Sequence, residues 1–419
     1  MTGAAIIDDL LARGLIHDHT DEAALRSRLD EGPIKVYCGF DPTADSLHIG
    51  NLVPLLLLRR FQDFGHEPIA LAGGATGMVG DPSGRSDERN LLDGEAFDRN
   101  LAAVKIQLGL LLDIGGLAQL VDNRDWIVDV TVLEFLRDVG KHITVNTMLA
   151  KESIRARLEG DQGLSFTEFS YMLLQANDFV ALHELHGCEM QVGGSDQWGN
   201  ITAGIDMIRR RLGASVHGLT VPLITRSDGA KFGKTADGAV WLDADRTLPY
   251  EFHQYFLRTD DRDVERFLLQ LTLLTVERVT EIMADHNTEP ERRHAQGELA
   301  DAVTELIHGP EEVSRARLAA RALFGREALD GDALNALRGI VPETDIDRSV
   351  VEGDEPVVEL LVATGVCSSK GDARRTIGQG GIRVNGVKVD SSTHPFDVVD
   401  GHYVLIQRGK LQRHLAVLP

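Results

Sequence analysis

An α/β fold built around a parallel sheet is predicted for the first half of this chain by three observations. Short apolar runs alternate with longer helical patterns from Ile34 to about Ile224, glycine-rich segments follow several of the runs, and strand signals vanish after Pro249. The runs read as strands are IKVYCGF (34–40), PIALAG (68–73), AQLVDN (118–123) and CEMQVGG (188–194). Between them Phe97, Leu101, Val104, Leu108 and Leu111 recur at helical spacing, as do Val132, Phe135, Leu136 and Val139. Beyond Pro249, Phe252, Phe256, Phe267, Leu268, Leu271, Val303, Leu306 and Ile307 indicate packed helices to about Phe324. A chain of 419 residues exceeds what one core usually organises, so several domains are expected. The division predicted is 1–247 for the sheet domain, 248–324 for a helical domain, 325–353 for an acidic linker with some helical character, and 354–419 for a last module.

Charge and cysteine usage narrow the class. Lys and Arg total 43 against 65 Asp and Glu, a net charge of -22, which argues against a nucleic-acid coat or a membrane-surface binder. The last module departs from this. From Glu355 onward eight Lys or Arg stand against six Asp or Glu, which marks this tail as the polyanion contact. Cys38, Cys188 and Cys367 lie far apart without a Cys-x-x-Cys pair, so neither a disulfide framework nor a zinc ribbon is expected, and a reducing cytoplasm fits. Asp8 and Asp9 interrupt the first apolar stretch, and the longest apolar run, from Leu52 to Leu58, is too short for a membrane span; no signal peptide and no membrane helix are expected.

Three segments suit phosphate chemistry. DPTADSLHIGN (41–51) joins a strand to a helix running to about Phe64, which places Thr43, His48 and Asn51 at a helix N-terminus, where unpaired N–H groups and the helix dipole favour anions. Standing alone, this segment reads as Asp45 or Ser46 capping an ordinary helix. KFGKT (231–235) is not a P-loop, because position 228, where that motif needs glycine, is Asp; it remains a loop able to bring Lys231 and Lys234 to a polyphosphate, or else a solvated surface loop. GGATGMVGDPSGRSDER (73–89) lets backbone approach a ligand closely. A fourth segment is a helix on which Tyr171, Gln175 and Asp178 form one polar stripe opposite Met172, Ala176 and Phe179, opened by the capping pair Ser165 and Glu168. Its bland alternative is an amphipathic helix with that stripe in water.

Taken in order, YCGFDPTADSLHIGN, GGATGMVGDPSGRSDER, FSYMLLQANDF, QVGGSDQWGN and KFGKT resemble the bacterial tyrosyl-tRNA synthetases over nearly the whole chain. The resemblance implies a class I enzyme with a Rossmann-like catalytic domain that activates L-tyrosine with ATP and passes it to tRNA(Tyr). It places Tyr37 and Asp178 at the phenolic hydroxyl, Tyr171, Gln175 and Asp81 at the α-ammonium group, and Gln197 near the reacting carboxyl. ATP falls to Gly39, Asp41, His48, Asn51, Gly194, Asp196 and Lys234, with Cys38 a packing contact near the ribose. Charge on the phosphates falls to Thr43, His48, Asn51, Lys231, Lys234, Arg85 and Arg89. The family writes the first signature His-Ile-Gly-His, so Asn51 stands where the second histidine is usual; an amide still donates, and a modest effect is expected. Of the second signature, usually Lys-Met-Ser-Lys-Ser, Lys231 and Lys234 match outright. Magnesium is expected to arrive with ATP, without a dedicated protein metal site; HELHGC (183–188) is the one cluster that suggests a metal, and a structural role is favoured for it.

The segment from Val357 to Asp390 resembles an S4 RNA-binding domain, a small α+β module, with Lys370, Arg374 and Arg375 on a helix and Arg383 and Lys388 on a following strand as its RNA contacts. Family analogy implies a homodimer joined through the catalytic domains. Three rivals stay open at this stage. A tryptophanyl-type synthetase shares the signatures but has no use for Tyr37 with Asp178, a non-translational nucleotidyltransferase leaves the tail unexplained, and an inactive RNA-binding scaffold is encouraged only by Asn51.

Overall fold

The computed structural model describes residues 3–83, 93–158, 163–229, 232–235, 238–325 and 328–419. Two compact units emerge, one formed by Met1–Thr247 with Tyr255–Ile307, the other by Leu248–Gln254 with His308–Pro419.

In the first unit, strands β1 (Asp18–His19), β2 (Lys35–Phe40), β3 (Glu67–Ala72), β4 (Gln119–Asp122), β5 (Cys188–Gly194) and β6 (His217–Val221) form one sheet in the order β1-β6-β5-β2-β3-β4. All pairs are parallel except β1 with β6. The four strands expected from sequence are present, and β2, β3 and β5 read as continuous apolar runs because both faces are covered: Val36, Tyr37, Ile69, Ala70, Met190 and Val192 are all buried, whereas β4, at the sheet edge, is half-buried. Helices Ile49–Asp63, Gly94–Leu111, Phe166–His186 and Trp198–Leu212 pack on this sheet. The chain winds from β2 through β3 to β4 in one direction and from β5 to β6 in the other. The order therefore reverses between β2 and β5, and a crevice opens at the carboxyl ends of these strands, the usual ligand position in such sheets.

The spacing of Val132, Phe135, Leu136 and Val139 does not make a core-facing α-helix. A short helix, Val132–Glu134, capped by Thr131, runs into a π-helical turn, Phe135–Val139, and only Val139 of the four is buried. The helices Asp261–Leu271, Val276–Thr288 and His294–His308 follow the expected pattern, with Val264, Phe267, Leu268 and Leu271 buried. Arg13 and Arg60 close the C-terminal end of the first of these by donating to the carbonyls of Leu269, Thr272 and Leu274. Burial holds the Arg60 guanidinium down at about 10.

In the second unit, β9 (Glu343–Asp345), β10 (Ile382–Val384), β11 (Val387–Lys388), β12 (Tyr403–Arg408) and β13 (Gln412–Val417) form a sheet in the order β11-β10-β12-β13-β9. The stretch 325–353, expected as a linker, contains the helix Gly331–Asn335 and the strand β9, which pairs parallel with β13. Arg383 and Lys388, expected on one strand, lie on two. Asn385 and Gly386, with φ of 46° and 80°, make the turn between β10 and β11 and bring the two residues into register.

Candidate active site

A cavity of about 540 Å³ fills the crevice, and Tyr37, Gly39, Asp41, Thr43, His48, Asn51, Asp81, Tyr171, Gln175, Asp178, Gly194, Asp196 and Gln197 all line it. Arg85, Arg89 and Lys231 lie outside the described residues, and of Lys234 only the backbone, in the short strand β7 (Lys234–Thr235), is described.

Its deep end is polar and buried. Tyr37 and Asp178 are 0% and 1% exposed, and the Tyr37 hydroxyl has no hydrogen-bond partner. The Tyr37 ring packs 5.2 Å from that of Phe179. Asp178 accepts from Trp126 Nε1 at 2.8 Å and from Asn123 Nδ2 at 3.0 Å. Burial pushes its carboxyl up to about 7, against the pull of those two donors, and burial followed by the Asp178 charge drives the Tyr37 phenol well above its ordinary value. The helix that presents Asp178 starts where Ser165 Oγ accepts from the Glu168 N–H and stops at Gly187 in the left-handed region.

Toward the mouth, a chain of side chains frames a second polar point. Tyr171 donates to Asp41 at 2.8 Å, Thr76 donates to the other Asp41 oxygen at 2.8 Å, and Asn123 donates to Thr76 at 2.9 Å. Gln197 donates to Asp81 at 2.7 Å, and Asn200 donates to Gln175 at 3.0 Å. Asp41, grouped by resemblance with ATP, is thus a partner of Tyr171. Only glycine fits at position 73, where a Cβ would fall 2.0 Å from Asp41 Oδ1.

The part of the cavity lined by His48 and Asn51 is built on a helix start. His48, not Asp45 or Ser46, is the N-cap of Ile49–Asp63: its Nδ1 accepts from the Gly50 N–H at 3.0 Å, while Asn51 Oδ1 accepts from the His48 N–H at 3.1 Å. Asp45 instead pairs with Arg246, and the Ser46 hydroxyl donates to the Leu47 carbonyl. With Nδ1 an acceptor, the neutral imidazole carries its proton on Nε2. Burial raises the pKa of Asp196 and takes the Cys38 thiol to about 12, which disfavours the thiolate.

Sequence reasoning missed Thr76, Asn123, Trp126 and Asn200. Asn123 had a signal, since it follows the end of β4 on the ligand side of the sheet; Trp126 had none.

Two family models match the chain, "tRNA synthetases class I (W and Y)" over residues 29–325 and "Tyrosine--tRNA ligase SYY-like C-terminal domain" over residues 336–416. The tyrosine–tRNA ligase of Opitutus terrae is 53% identical over 415 residues, covering 97% of each chain. The chain belongs to the tyrosine–tRNA ligases. The corresponding ligase of Desulfitobacterium hafniense is 47% identical over 99% of both chains. Among solved structures, a C-terminally truncated mitochondrial tyrosyl-tRNA synthetase from Aspergillus nidulans superposes with a TM-score of 0.69 at 35% identity, covering 76% of this chain and 94% of that one. As a tyrosine–tRNA ligase, the chain uses ATP to join tyrosine to tRNA.

The tail residues named from sequence lie on one small module. Lys370 pairs with Glu359, Arg374 with Glu355 and Arg375 with Asp372, the three cationic side chains being more than half exposed. Exposed pairs of this kind are weak, because water and salt screen them. His183 and His186 bond to the Cys188 carbonyl and to Gln119.

Proposed function

We propose that tyrosine lies with its phenol between Tyr37 and Asp178 and its ammonium group among Asp81, Tyr171 and Gln175, so that its carboxylate faces ATP across Gln197. The observation that carries this is the Tyr37 hydroxyl, buried and unpartnered beside a buried carboxylate at the cavity floor. A phenol fills that gap as donor to Asp178 and acceptor from Tyr37. A carboxylate oxygen of tyrosine attacks the α-phosphorus of ATP, the bond to pyrophosphate breaks, and the adenylate forms; the terminal ribose hydroxyl of tRNA then attacks its carbonyl and AMP leaves. Gly39, Gly194 and Asp196 hold the nucleotide, and Thr43, His48 and Asn51, with Lys231, Lys234, Arg85 and Arg89, stabilise charge on the phosphates. Magnesium enters with those phosphates and helps neutralise them; among the described residues no three His, Cys, Asp or Glu side chains form a metal cluster. Lys234→Ala is expected to slow single-turnover adenylate formation by about 10²–10³ while leaving tyrosine affinity intact. An unchanged rate rejects the phosphate role.

The division of the chain into 1–247, 248–324, 325–353 and 354–419, with Lys370, Arg374, Arg375, Arg383 and Lys388 meeting tRNA, belongs to the same reading, as does a homodimer. Val128, Val132, Leu133, Leu136 and Val145, on one continuous stretch of the catalytic unit, are 52–80% exposed, a clustering of apolar side chains that suits a self-complementary face. The expected mass in solution is twice the 45.8 kDa of the chain, and a monomer in equilibrium sedimentation at micromolar concentration removes this part of the reading. No described helix is long and apolar enough to cross a membrane; a cytoplasmic location follows from the role in translation.

A further inference from the structure

The segment between β6 and the short hairpin β7 (Lys234–Thr235) and β8 (Gly238–Ala239) is tied to two helices by side chains that touch no part of the cavity chemistry. Asp263, on the helix Asp261–Leu271, is 2% exposed, and its Oδ2 accepts from both the N–H and the hydroxyl of Ser227, each at 2.9 Å. Its Oδ1 accepts from Arg266, which also donates to the Thr225 carbonyl at 2.6 Å. Burial works against the charged carboxyl, yet the Ser227 and Arg266 donors outweigh it and hold Asp263 below the ordinary carboxylate value.

The other tie is at Gly233. This residue has φ +80°, and a Cβ there would meet Ile49 Cγ1 at 2.9 Å, so the glycine of the second signature lies directly on the Ile-Gly of the first. Its carbonyl accepts from the Val240 N–H, and its N–H donates to the Tyr255 hydroxyl at 2.9 Å. The neighbouring Phe232 ring packs 5.0 Å from Phe267 and 6.0 Å from Tyr255. Tyr255 belongs to the helix Pro249–Leu257, and its hydroxyl is the partner of a backbone N–H at the joint between the two signatures. A backbone donor in this position, left without its acceptor, is free to take another conformation.

We propose that Tyr255 and Asp263 are positioning residues for adenylate formation, fixing Gly233 and Ser227 so that the lysines beside and between them meet the phosphates of ATP. The proposal rests on the reading of Lys231 and Lys234 as phosphate ligands, and it adds two residues that touch neither substrate. Positioning of this kind acts on the step in which charge moves to the pyrophosphate and leaves the tyrosine end of the cavity alone.

The test is single-turnover adenylate formation in the full chain, beside equilibrium tyrosine binding, for Tyr255→Phe, Ser227→Ala and Asp263→Asn, with Lys234→Ala as reference. Tyr255→Phe keeps the ring against Phe232 and removes only the hydroxyl; Ser227→Ala removes one of the two donors to Asp263. Loss of a single hydrogen bond at full effect corresponds to about a tenfold slower step, and that is the result expected for Tyr255→Phe, with a smaller loss for Ser227→Ala, a larger one for Asp263→Asn, and tyrosine affinity unchanged in all three. Wild-type rates in Tyr255→Phe and Ser227→Ala overturn the proposal, as does a fall in tyrosine affinity that matches the fall in rate. A wild-type rate in Lys234→Ala overturns instead the reading on which it rests.

Discussion

Asp178→Asn is expected to lower kcat/KM for tyrosine in ATP–pyrophosphate exchange by about 10–10². The carboxylate receives Trp126 Nε1 on one oxygen and Asn123 Nδ2 on the other. An amide offers one acceptor and one donor group, so one of these two donors is left facing an NH2, and the phenol loses a charged acceptor. A hydrogen bond to a charged group contributes about 1.5–3 kcal/mol, which gives the stated factor; the orphaned buried donor costs stability in the free and the bound protein alike and drops out of it. Phenylalanine never used the carboxylate, so its exchange should fall far less and the preference for tyrosine should narrow. Equal losses for the two amino acids would place Asp178 outside phenol recognition. The pH dependence supplies an independent arm. Burial raises the Asp178 carboxyl to about 7, with the nearby carboxylates of Asp41 and Asp122 adding to it. Below that pH the site is protonated and cannot accept from a phenol in its ionised form; above it the acceptor is ready. Tyrosine affinity should therefore rise as pH passes upward through about 7, and the rise should vanish in Asp178→Asn. A flat profile in the wild-type protein rejects the argument.

The two sides of this pair differ in how far the sequence announces them. The helix carrying Asp178 is legible from end to end: Ser165 starts it, Gly187 stops it, and the spacing of Tyr171, Gln175 and Asp178 puts all three on one stripe. What the spacing leaves open is the direction the stripe faces, because a polar stripe turned toward water and one turned into a cavity are written alike; Tyr171 and Asp178 are in fact buried. Trp126 and Asn123 hold Asp178 from more than fifty residues away, and their place depends on where β4 docks in the sheet, which no local pattern encodes. The same limit hides β9. Glu343–Asp345 has no apolar run, and it becomes a strand only because β13, some seventy residues later, presents a free edge for parallel pairing. Tertiary context also overrides the helical spacing at Val132 and Leu136, where the apolar side chains stay exposed around a π-helical turn. Strands β2, β3 and β5 were readable for the opposite reason: burial on both faces writes itself into the sequence as an unbroken apolar run.

His48→Ala is expected to slow adenylate formation by about 10²–10³ and, separately, to destabilise the protein by about 1 kcal/mol. The two effects have different atoms behind them. Nδ1 is the cap, accepting from the Gly50 N–H, and its loss strips an acceptor from the first turn of Ile49–Asp63. Because Nδ1 is engaged, Nε2 carries the proton of the neutral ring on a residue that lines the cavity, and in the proposed reading it donates to phosphate oxygens, where charge grows as pyrophosphate departs. His48→Asn separates them. Asparagine is among the best N-cap residues, so its side-chain oxygen takes over the bond from the first turn and stability should return close to that of the parent. Its amide is shorter than an imidazole and cannot cap and reach the phosphates together, so the rate should stay low. The reciprocal arm of the cap makes the same point about Asn51: with Oδ1 accepting from the His48 N–H, only Nδ2 is left to offer a phosphate. Thermal unfolding and single-turnover kinetics on the two His48 variants therefore give a crossed pattern, stability restored and rate not. Recovery of both in His48→Asn would reduce His48 to a helix cap, and a wild-type rate in His48→Ala would remove it from the chemistry altogether.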